Sequence, residues 1–408
     1  EEVIIESSRP EADPLSAHPS KVFEDIPLPV EERNYHTQSM DDVSLSGDDH
    51  IKVELKEHEV KENLFKKFVL YTIQGKGAFG AFQTSRRYSE FAVLRSRMVS
   101  NWPAVYIPPV PSKKAIGNLS ASFIEDRKRL LEIFLQETCS ITHLQRSEEF
   151  QLFLSGPPEF KKLIVGTKPK SLGRICEAYG EIFARFDREV SLEVKNTIEF
   201  HLNFFKSIQE KLRDGATHAE QASRTYRTFA QHYKNLISIV QKNEEGDVYQ
   251  LDGLTPTFRT RLKEETVDQF EMIGHWFQAE SLETAAMIDA IEGVYHLEGL
   301  KHKADSKLAT EKNALLKIQL GKSSPLFRSK SKEERLNSTE DHIRGMEKEI
   351  ADLQKLLRIT QVRLADYEFP RYKRTKAAKY ERLLNHFSEV HYHEINALQG
   401  VLKEVAQS

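Results

Sequence analysis

The chain has 408 residues, of which 39% are apolar and 30% are charged. Because one hydrophobic core rarely organises so long a chain, we expect two folded units, and the charge content is typical of long solvated helices rather than of a compact enzyme. The net charge of −3 provides no global basic field for nucleic acid. Cys139 and Cys176 lie too far apart in sequence to suggest a disulfide framework or a cysteine metal site, which indicates a reducing, cytoplasmic setting.

Residues 1–47 combine acidic residues, prolines and serines with few apolar side chains. They show neither helical nor strand periodicity, and such a composition cannot bury enough apolar surface to fold. We therefore predict a disordered acidic tail, in which Val22, Phe23 and Ile26 are candidates for a short docking motif.

Strand-like alternation of apolar and polar residues begins after His50. The segments 51–55 (IKVEL) and 64–75 (LFKKFVLYTIQG) are rich in β-branched and aromatic residues, and a third strand is expected over 79–87. With turns predicted at 61–63 and 75–77, the three strands form an antiparallel meander.

Two helices and a proline-rich loop are predicted to follow the strands. An amphipathic run after Ser89 predicts a helix that ends before Pro103. Residues 106–114 (YIPPVPSKK) contain too much proline for a helix or a strand and should form an extended, polyproline-type loop. A second helix is expected from about Ser120. Together these elements predict a small α+β domain over 48–155.

Beyond a linker at 156–188, residues 189–408 show a helical pattern with breaks near 243–256 and 321–325. Three long helices are therefore predicted, and Pro370 is expected to bend the third, because proline removes a backbone hydrogen bond. No run of roughly 18 apolar residues occurs, so membrane contact should be peripheral. The first helix has apolar residues at alternating spacings of three and four, which is a heptad seam: Ile198, His201, Phe205, Ile208, Leu212, Gly215, Ala219, Ala222, Tyr226, Phe229, Tyr233, Leu236 and Val240.

Basic residues and one tyrosine cluster where the third strand meets the first helix. Arg87 and Tyr88 lie at this junction, Lys113 projects from the stiff proline-rich loop, and Arg127 lies on the second helix. The planar fork of arginine suits phosphate, and an aromatic ring beside it can stack on a sugar-like ring. This combination favours a site for an anionic headgroup.

Three motifs, RRYSEF, PPVPSK and FIEDRKRLLEIF, occur in an order and spacing that resemble the phox-homology (PX) domain of sorting nexins. In that family the second arginine of the first motif holds the 3-phosphate of an inositol lipid, and the tyrosine stacks on the inositol ring. The loop lysine contacts the 1-phosphate, and an arginine of the second helix bonds the ring hydroxyls. The resemblance assigns these roles, and a pocket for phosphatidylinositol 3-phosphate, to Arg87, Tyr88, Lys113 and Arg127.

The order of a PX-like domain and three long helices resembles the PX-BAR sorting nexins over residues 50–408. The resemblance implies an α+β PX domain followed by an all-α, three-helix BAR-type coiled-coil domain. It also implies a homodimer, or a heterodimer with another PX-BAR protein, that senses or tubulates curved membrane during endosomal protein transport. The protein would then be cytoplasmic and peripheral on early endosomes, without a catalytic residue, cofactor, metal site or nucleic-acid partner.

Further membrane contacts are predicted around the headgroup site and at the second helix break, although a solvated surface is the default explanation for the basic clusters and packing on the domain explains the apolar candidates equally well. These candidates are Arg86, Lys114, Ile116, Leu119, Lys322, Arg328, Lys330 and Lys332. A second basic cluster follows Pro370 and comprises Arg371, Lys373, Arg374, Lys376 and Lys379. Apolar residues of the linker, among them Phe160, Ile175 and Tyr179, fit either an amphipathic membrane wedge or packing between the two domains.

Two other functions are weighed against lipid binding. The segment 75–80 (GKGAFG) copies the glycine-rich loop of protein kinases, but no lysine occurs between Phe82 and Lys113 and no H-R-D or D-F-G motif occurs. A kinase is therefore excluded. The remaining alternative is a coiled-coil scaffold whose PX-like domain binds proteins rather than lipid.

Overall fold

The structure is a computed structural model that describes residues 51–63, 66–77, 80–113, 120–244, 268–320 and 332–407. The predicted tail at 1–47 lies outside the described residues, as do the helix break at 321–325 and most of the break near 243–256. Residues Gly47–Ser408 form one compact unit.

The three strands form one antiparallel sheet, as predicted. Strand β1 (Lys52–Asn63) pairs with β2 (Lys66–Gly77), and β2 pairs with β3 (Gly80–Arg87), in the order β1-β2-β3. Alternate residues such as Leu55, Tyr71 and Ile73 are buried, because successive side chains of a strand point to opposite faces of the sheet.

Both predicted turns were placed too early. Residues 61–63 and 75–77 belong to strands, since Asn63 pairs with Lys66 and Gly77 with Gly80. Gly75 is needed for close packing instead of a turn, because a Cβ atom there would lie 2.4 Å from the ring of Phe82. The sequence alone does not distinguish a glycine required for close packing from a glycine required for a turn.

Four helices complete the small domain: α1 (Tyr88–Asn101), α2 (Ala121–Ser140), α3 (Thr142–Gln145) and α4 (Glu148–Ser155). Aromatic side chains join these helices to the sheet. The buried ring of Phe91 has its centroid 6.4 Å from that of Tyr71, 6.3 Å from Phe134 and 4.9 Å from Phe153. Such edge-to-face contacts fix the start of α1 relative to β2.

The linker contains α5 (Phe160–Gly166), α6 (Leu172–Ile182) and a 3₁₀ turn (Ala184–Phe186). Phe160, Ile175 and Tyr179 are buried. The Tyr179 hydroxyl donates to the carbonyl oxygen of Pro103 at 2.5 Å, and its ring stacks on Trp102 at 5.7 Å. Packing between the domains is therefore confirmed for these side chains, and the membrane wedge is wrong for them.

The helical half consists of three long helices, as predicted. They are α7 (Leu192–Glu244), α8 (Gln269–Gln319) and a third in which α9 (Lys332–Arg363) continues through the π-helical turn Leu364–Glu368 into α10 (Phe369–Gln407). Helix α8 packs against both α7 and α9. The π turn lies directly before Pro370, where a regular ladder would lack one N–H donor.

The heptad seam of α7 faces α8 over part of its length. Phe205 and Ala219 are buried, and a Cβ atom on Gly215 would lie 2.7 Å from the ring of Phe277 on α8. The prediction fails at Phe229, whose side chain is 67% exposed. The buried seam of α7 therefore stops short of this residue.

Polar side-chain contacts join the small α+β domain to the helical half. Asp126 on α2 lies 3.1 Å from His275 on α8, and Arg95 on α1 lies 2.9 Å from Asp289.

None of the described helices combines the length and the apolar character needed to span a bilayer.

A five-residue ion cluster makes a second contact between these parts. It consists of Glu137 on α2, Glu280 and Glu283 on α8, and Lys376 and Lys379 on α10. Burial raises the pKa of Glu137. For Glu283 the effect of burial is outweighed by the positive charges of Lys376 and Lys379, which lower its pKa below its ordinary value. Lys376 and Lys379 are thus occupied in buried pairs, so their prediction as membrane contacts is wrong.

Candidate headgroup-binding site

Arg87 lies at the junction of a strand and a helix, as its sequence context predicted. It is the last residue of β3, and its backbone N–H donates to a carboxylate oxygen of Glu90 at 2.8 Å. Glu90 is itself buried, so it caps the first turn of α1 and fixes the direction in which the chain leaves the sheet. The guanidinium of Arg87 lies over the ring of Phe68 on β2, 4.1 Å from its centroid.

Arg86 has a structural role, so its prediction as a membrane contact is wrong. Its side chain is fully buried and donates hydrogen bonds of 2.8 to 2.9 Å to the carbonyl oxygens of Phe153, Gly156 and Pro157. These carbonyls lie at and just beyond the end of α4, where the negative end of a helix favours a cation. Adjacent arginines on a strand point to opposite faces, and only Arg87 faces outward.

Tyr88 and Arg127 are brought together around the proline-rich loop. The Tyr88 hydroxyl donates to the carbonyl oxygen of Pro111 at 2.7 Å, and burial raises its pKa, which keeps the phenol protonated as a donor. The guanidinium of Arg127 lies 4.1 Å from the centroid of the Tyr88 ring and 4.3 Å from that of Phe123. It also donates to the carbonyl oxygen of Ser112 at 3.4 Å.

Lys113 is exposed and directly follows Ser112, so it lies beside this group. The further candidates Lys114, Ile116 and Leu119 lie outside the described residues. The same is true of the candidates at the second helix break, Lys322, Arg328 and Lys330, and of the side chain of Lys332, the first residue of α9.

The site has an excess of positive charge. Among the described residues, no carboxylate lies within 4.0 Å of the charged groups of Arg87, Lys113 or Arg127. The acidic residues of α2 near Arg127 contact histidines instead: a carboxylate oxygen of Glu125 lies 3.4 Å from His58, and one of Asp126 contacts His275. Half-buried Arg87 and exposed Lys113 therefore remain available to an anion from outside the protein, whereas Arg127 is itself buried against Tyr88 and Phe123.

Sequence reasoning missed the aromatic supports of the two arginines. Phe68 under Arg87 comes from β2, and Phe123 beside Arg127 lies one turn earlier on α2. The spacing of Phe123 and Arg127 by four residues is a signal that places both on one helix face. The contact between Phe68 and Arg87 depends on strand register, which the misplaced turns hid.

Comparison with known proteins supports the assignment of this domain. Residues 77–157 match the family model of the PX domain. Sorting nexin 1 of Arabidopsis thaliana is 36% identical over 95 residues, covering 21% of this chain and 24% of the relative. Vacuolar protein sorting-associated protein 5 of Saccharomyces cerevisiae is 33% identical over 107 residues, covering 26% and 16% respectively. The aligned segments thus span a quarter or less of these relatives' own lengths.

Among solved structures, the cryo-EM structure of the SNX-BAR Mvp1 tetramer covers 86% of this chain and 100% of its own, at 13% identity and a TM-score of 0.49. The segment that matches the family model, residues 77–157, is a PX domain. The prediction of a PX domain similar to that of sorting nexins is confirmed by the family and sequence matches, and the three long helices of the structure agree with the predicted helical half.

Proposed function

We propose that this chain is a non-catalytic, peripheral membrane protein that binds phosphatidylinositol 3-phosphate through Arg87, Tyr88, Lys113 and Arg127. The observation that carries the proposal is that three cations have no carboxylate partner among the described residues: Arg127 against the Tyr88 ring, Lys113 beside it, and Arg87 at the end of β3. Leaving such charges without an internal partner is unfavourable unless water or an external anion solvates them.

Each side chain suits a different part of the headgroup. Arg87 has its backbone fixed by Glu90 and its guanidinium supported by Phe68, so its fork is held in place for the 3-phosphate. Lys113 is a mobile point charge suited to the 1-phosphate near the bilayer surface. Tyr88 anchors the loop that carries Lys113 through Pro111 and offers its ring to the inositol.

The long helices are proposed to join two such chains, either two copies of this one or one copy and another PX-BAR protein. Large apolar side chains remain exposed on them, including Phe200, Phe204 and Tyr295. Two headgroup sites in one assembly would raise the affinity for a membrane well above that of a single site. Such an assembly would act in protein sorting at the cytoplasmic face of early endosomes, where it senses or tubulates curved membrane.

Vesicle flotation tests the proposal. The native chain and Arg87→Ala are each mixed with neutral vesicles that contain or lack phosphatidylinositol 3-phosphate. We expect the native chain to float only with the phosphoinositide, and Arg87→Ala to bind at least ~10-fold more weakly, since a hydrogen-bonded charge contributes about 1.5 to 3 kcal/mol.

A matched control removes the same charge from the same domain. Lys56→Ala replaces an exposed lysine of β1 that pairs with Glu54, and it should float like the native chain. Two results would contradict the proposal. One is that the native chain floats equally with vesicles that contain and that lack the phosphoinositide, and the other is that Arg87→Ala floats as well as the native chain.

A further inference from the structure

Strand β3 is an edge of the sheet with outward-facing backbone groups. The N–H of Arg87 bonds to Glu90 and not to β2. In an antiparallel ladder, alternate residues of an edge strand turn both N–H and C=O away from the partner strand. Ser85 and Gln83 therefore face outward as well. Within the described residues, no backbone hydrogen bond joins either of them to a segment beyond the sheet.

The opposite edge of the same sheet is protected in three ways. This edge is strand β1, where the backbone N–H of Leu55 donates to a carboxylate oxygen of Glu132 on α2 at 3.3 Å. The register of β1 shifts between Leu55 and His58, which marks a bulge. Its sequence, KVELKEHEVKEN, is also strongly charged. Coverage, bulges and charge are the usual means by which sheets prevent added strands.

Within the described residues, the first six positions of β3 have no charge, no bulge and no backbone hydrogen bond to the neighbouring helices. The segment GAFQTS contains no charge and no proline, and its pairing with β2 continues without a shift from Gly80 to Arg87. Such an edge is a template for another extended chain. The two edges of one sheet thus differ in whether they admit a further strand.

Open space follows the free edge along its length. At the hairpin end, a cavity of about 400 Å³ is lined by Gly80, Ala81 and Phe82 together with residues of α4. At the α1 end, a second cavity of about 940 Å³ is lined by 83–85, Gly156 and residues of α5. We call the two cavities together the β3 groove.

The α1 end of the β3 groove is basic. Lys161 and Lys162 of α5 are exposed and line it with Arg87. Glu159 is the exposed carboxylate of the lining, whereas Glu90 is buried and bonded to the backbone. Val165, 66% exposed, adds an apolar wall. Backbone pairing, an apolar wall and a basic end together describe a peptide site.

We infer that the β3 groove binds an extended, acidic peptide of a partner protein, which adds to the sheet as a fourth strand beside Ser85 and Gln83 and places its acids at Lys161 and Lys162. Main-chain hydrogen bonds would provide affinity, and the alternate side chains that face α5 would provide selectivity. The groove shares Arg87 with the proposed headgroup site, whereas Ser85, Lys161 and Lys162 belong to the groove alone, so variants of these three residues test the peptide without testing lipid binding.

The experiment selects peptides from a phage library of random octapeptides with the full chain as bait. We expect selected sequences to alternate β-branched or aromatic residues with polar ones and to include acidic residues near one end. Ser85→Pro removes one outward N–H, which makes no bond to β2, and should weaken the selected peptides at least ~10-fold in fluorescence anisotropy. Ser85→Ala loses the same hydroxyl but keeps the N–H, and should bind like the native chain.

A charge exchange tests the orientation. Lys161→Glu combined with Lys162→Glu should weaken acidic peptides by ~3- to 10-fold and strengthen the same peptides when lysine replaces their acids. Circular dichroism verifies that each variant is folded. The inference is overturned if no peptide is selected, or if Ser85→Pro binds the selected peptides as Ser85→Ala does. Loss of binding to anionic vesicles in the lysine variant, with peptide binding unchanged, would assign the groove to the membrane instead.

Discussion

Adjacent arginines at the end of β3 have opposite surroundings. Arg86 is buried on three carbonyl oxygens, and Arg87 lies outward on Phe68. The motif marks both as basic residues at a strand end. The alternation of faces along a strand separates their roles once the register is known.

Replacement of these two residues should separate stability from binding. Arg86→Ala leaves the carbonyls of Phe153, Gly156 and Pro157 without their donor and should cost at least ~3 kcal/mol of unfolding free energy. Arg87→Ala should cost less than ~1 kcal/mol, because its side chain is half-buried and makes no ion pair within the described residues. Urea denaturation measures both, and similar losses in the two variants would contradict these assignments.

His143 on α3 should make the protein sensitive to acid. Burial, followed by the charges of Arg363 and Arg371, holds its pKa well below the ordinary value. Below about pH 6.5 the unfolded chain gains a proton that the folded chain does not. Stability is therefore fully present above that pH and declines below it, by up to ~1.4 kcal/mol per pH unit.

A variant without this imidazole isolates its contribution. His143→Asn should flatten the fall in unfolding free energy between about pH 7.5 and 5.5. His218→Asn, which changes an exposed histidine of α7, should retain the native slope. An identical slope for His143→Asn and the native chain would show that this residue does not titrate in the manner proposed.

At the scale of elements, the sequence predicted the type and order of the strands and long helices, but it predicted few of the contacts between them. Alternation revealed the strands, and the 3,4 spacing revealed α7. The linker was ambiguous because apolar residues such as Ile175 and Tyr179 serve a membrane wedge and a domain contact equally well. Only the position of Trp102 and Pro103 beside Tyr179 distinguishes them. The supports of the headgroup site likewise depend on tertiary contacts.

Gly293 of α8 permits a close approach of this helix to the backbone of Ala104. A Cβ atom there would lie 2.8 Å from the backbone nitrogen of Ala104 and 2.9 Å from its Cα atom. Ala104 is itself held at a φ of 59°, which leaves its backbone little freedom to move. Gly293→Ala should therefore cost about 1 to 3 kcal/mol despite its better helix propensity.

Gly299, six residues further along α8, provides the matched control. Apart from its chain neighbours and the backbone of its own helix, no heavy atom lies within 4 Å of a Cβ placed there, so Gly299→Ala should stabilise the protein by about 0.5 to 1 kcal/mol. Thermal unfolding of both variants compares the effects. Stabilisation by Gly293→Ala of similar size would mean that α8 and the PX domain are not tightly packed at this point.

At the scale of the whole molecule, the ion cluster of α2, α8 and α10 ties the headgroup site to the long helices. Helix α2 carries both Arg127 and Glu137. In the proposed function, a membrane contact made by the site would be transmitted to the helices through this cluster, and pairing of helices would couple two sites. Binding to vesicles should then be much tighter than binding of one soluble headgroup.

The exposed rings of Phe200 and Phe204 on α7 provide a test of pairing. Their planes are stacked, with centroids 6.5 Å apart, and 48% and 39% of the two residues is exposed. Phe200→Asp combined with Phe204→Asp should give a monomer by light scattering and reduce vesicle binding by ~10- to 100-fold. Affinity for a soluble headgroup should not change. Native vesicle binding by a monomeric variant would contradict the two-site account.

The most direct measurement is calorimetric titration of a soluble, short-chain phosphatidylinositol 3-phosphate into the native chain and Arg87→Ala. This ligand presents the headgroup without surface charge or curvature. We expect saturable binding by the native chain, none with unphosphorylated phosphatidylinositol, and an affinity at least ~10-fold lower for Arg87→Ala. Equal affinity for the two lipids, or no effect of Arg87→Ala, would contradict headgroup recognition at this site.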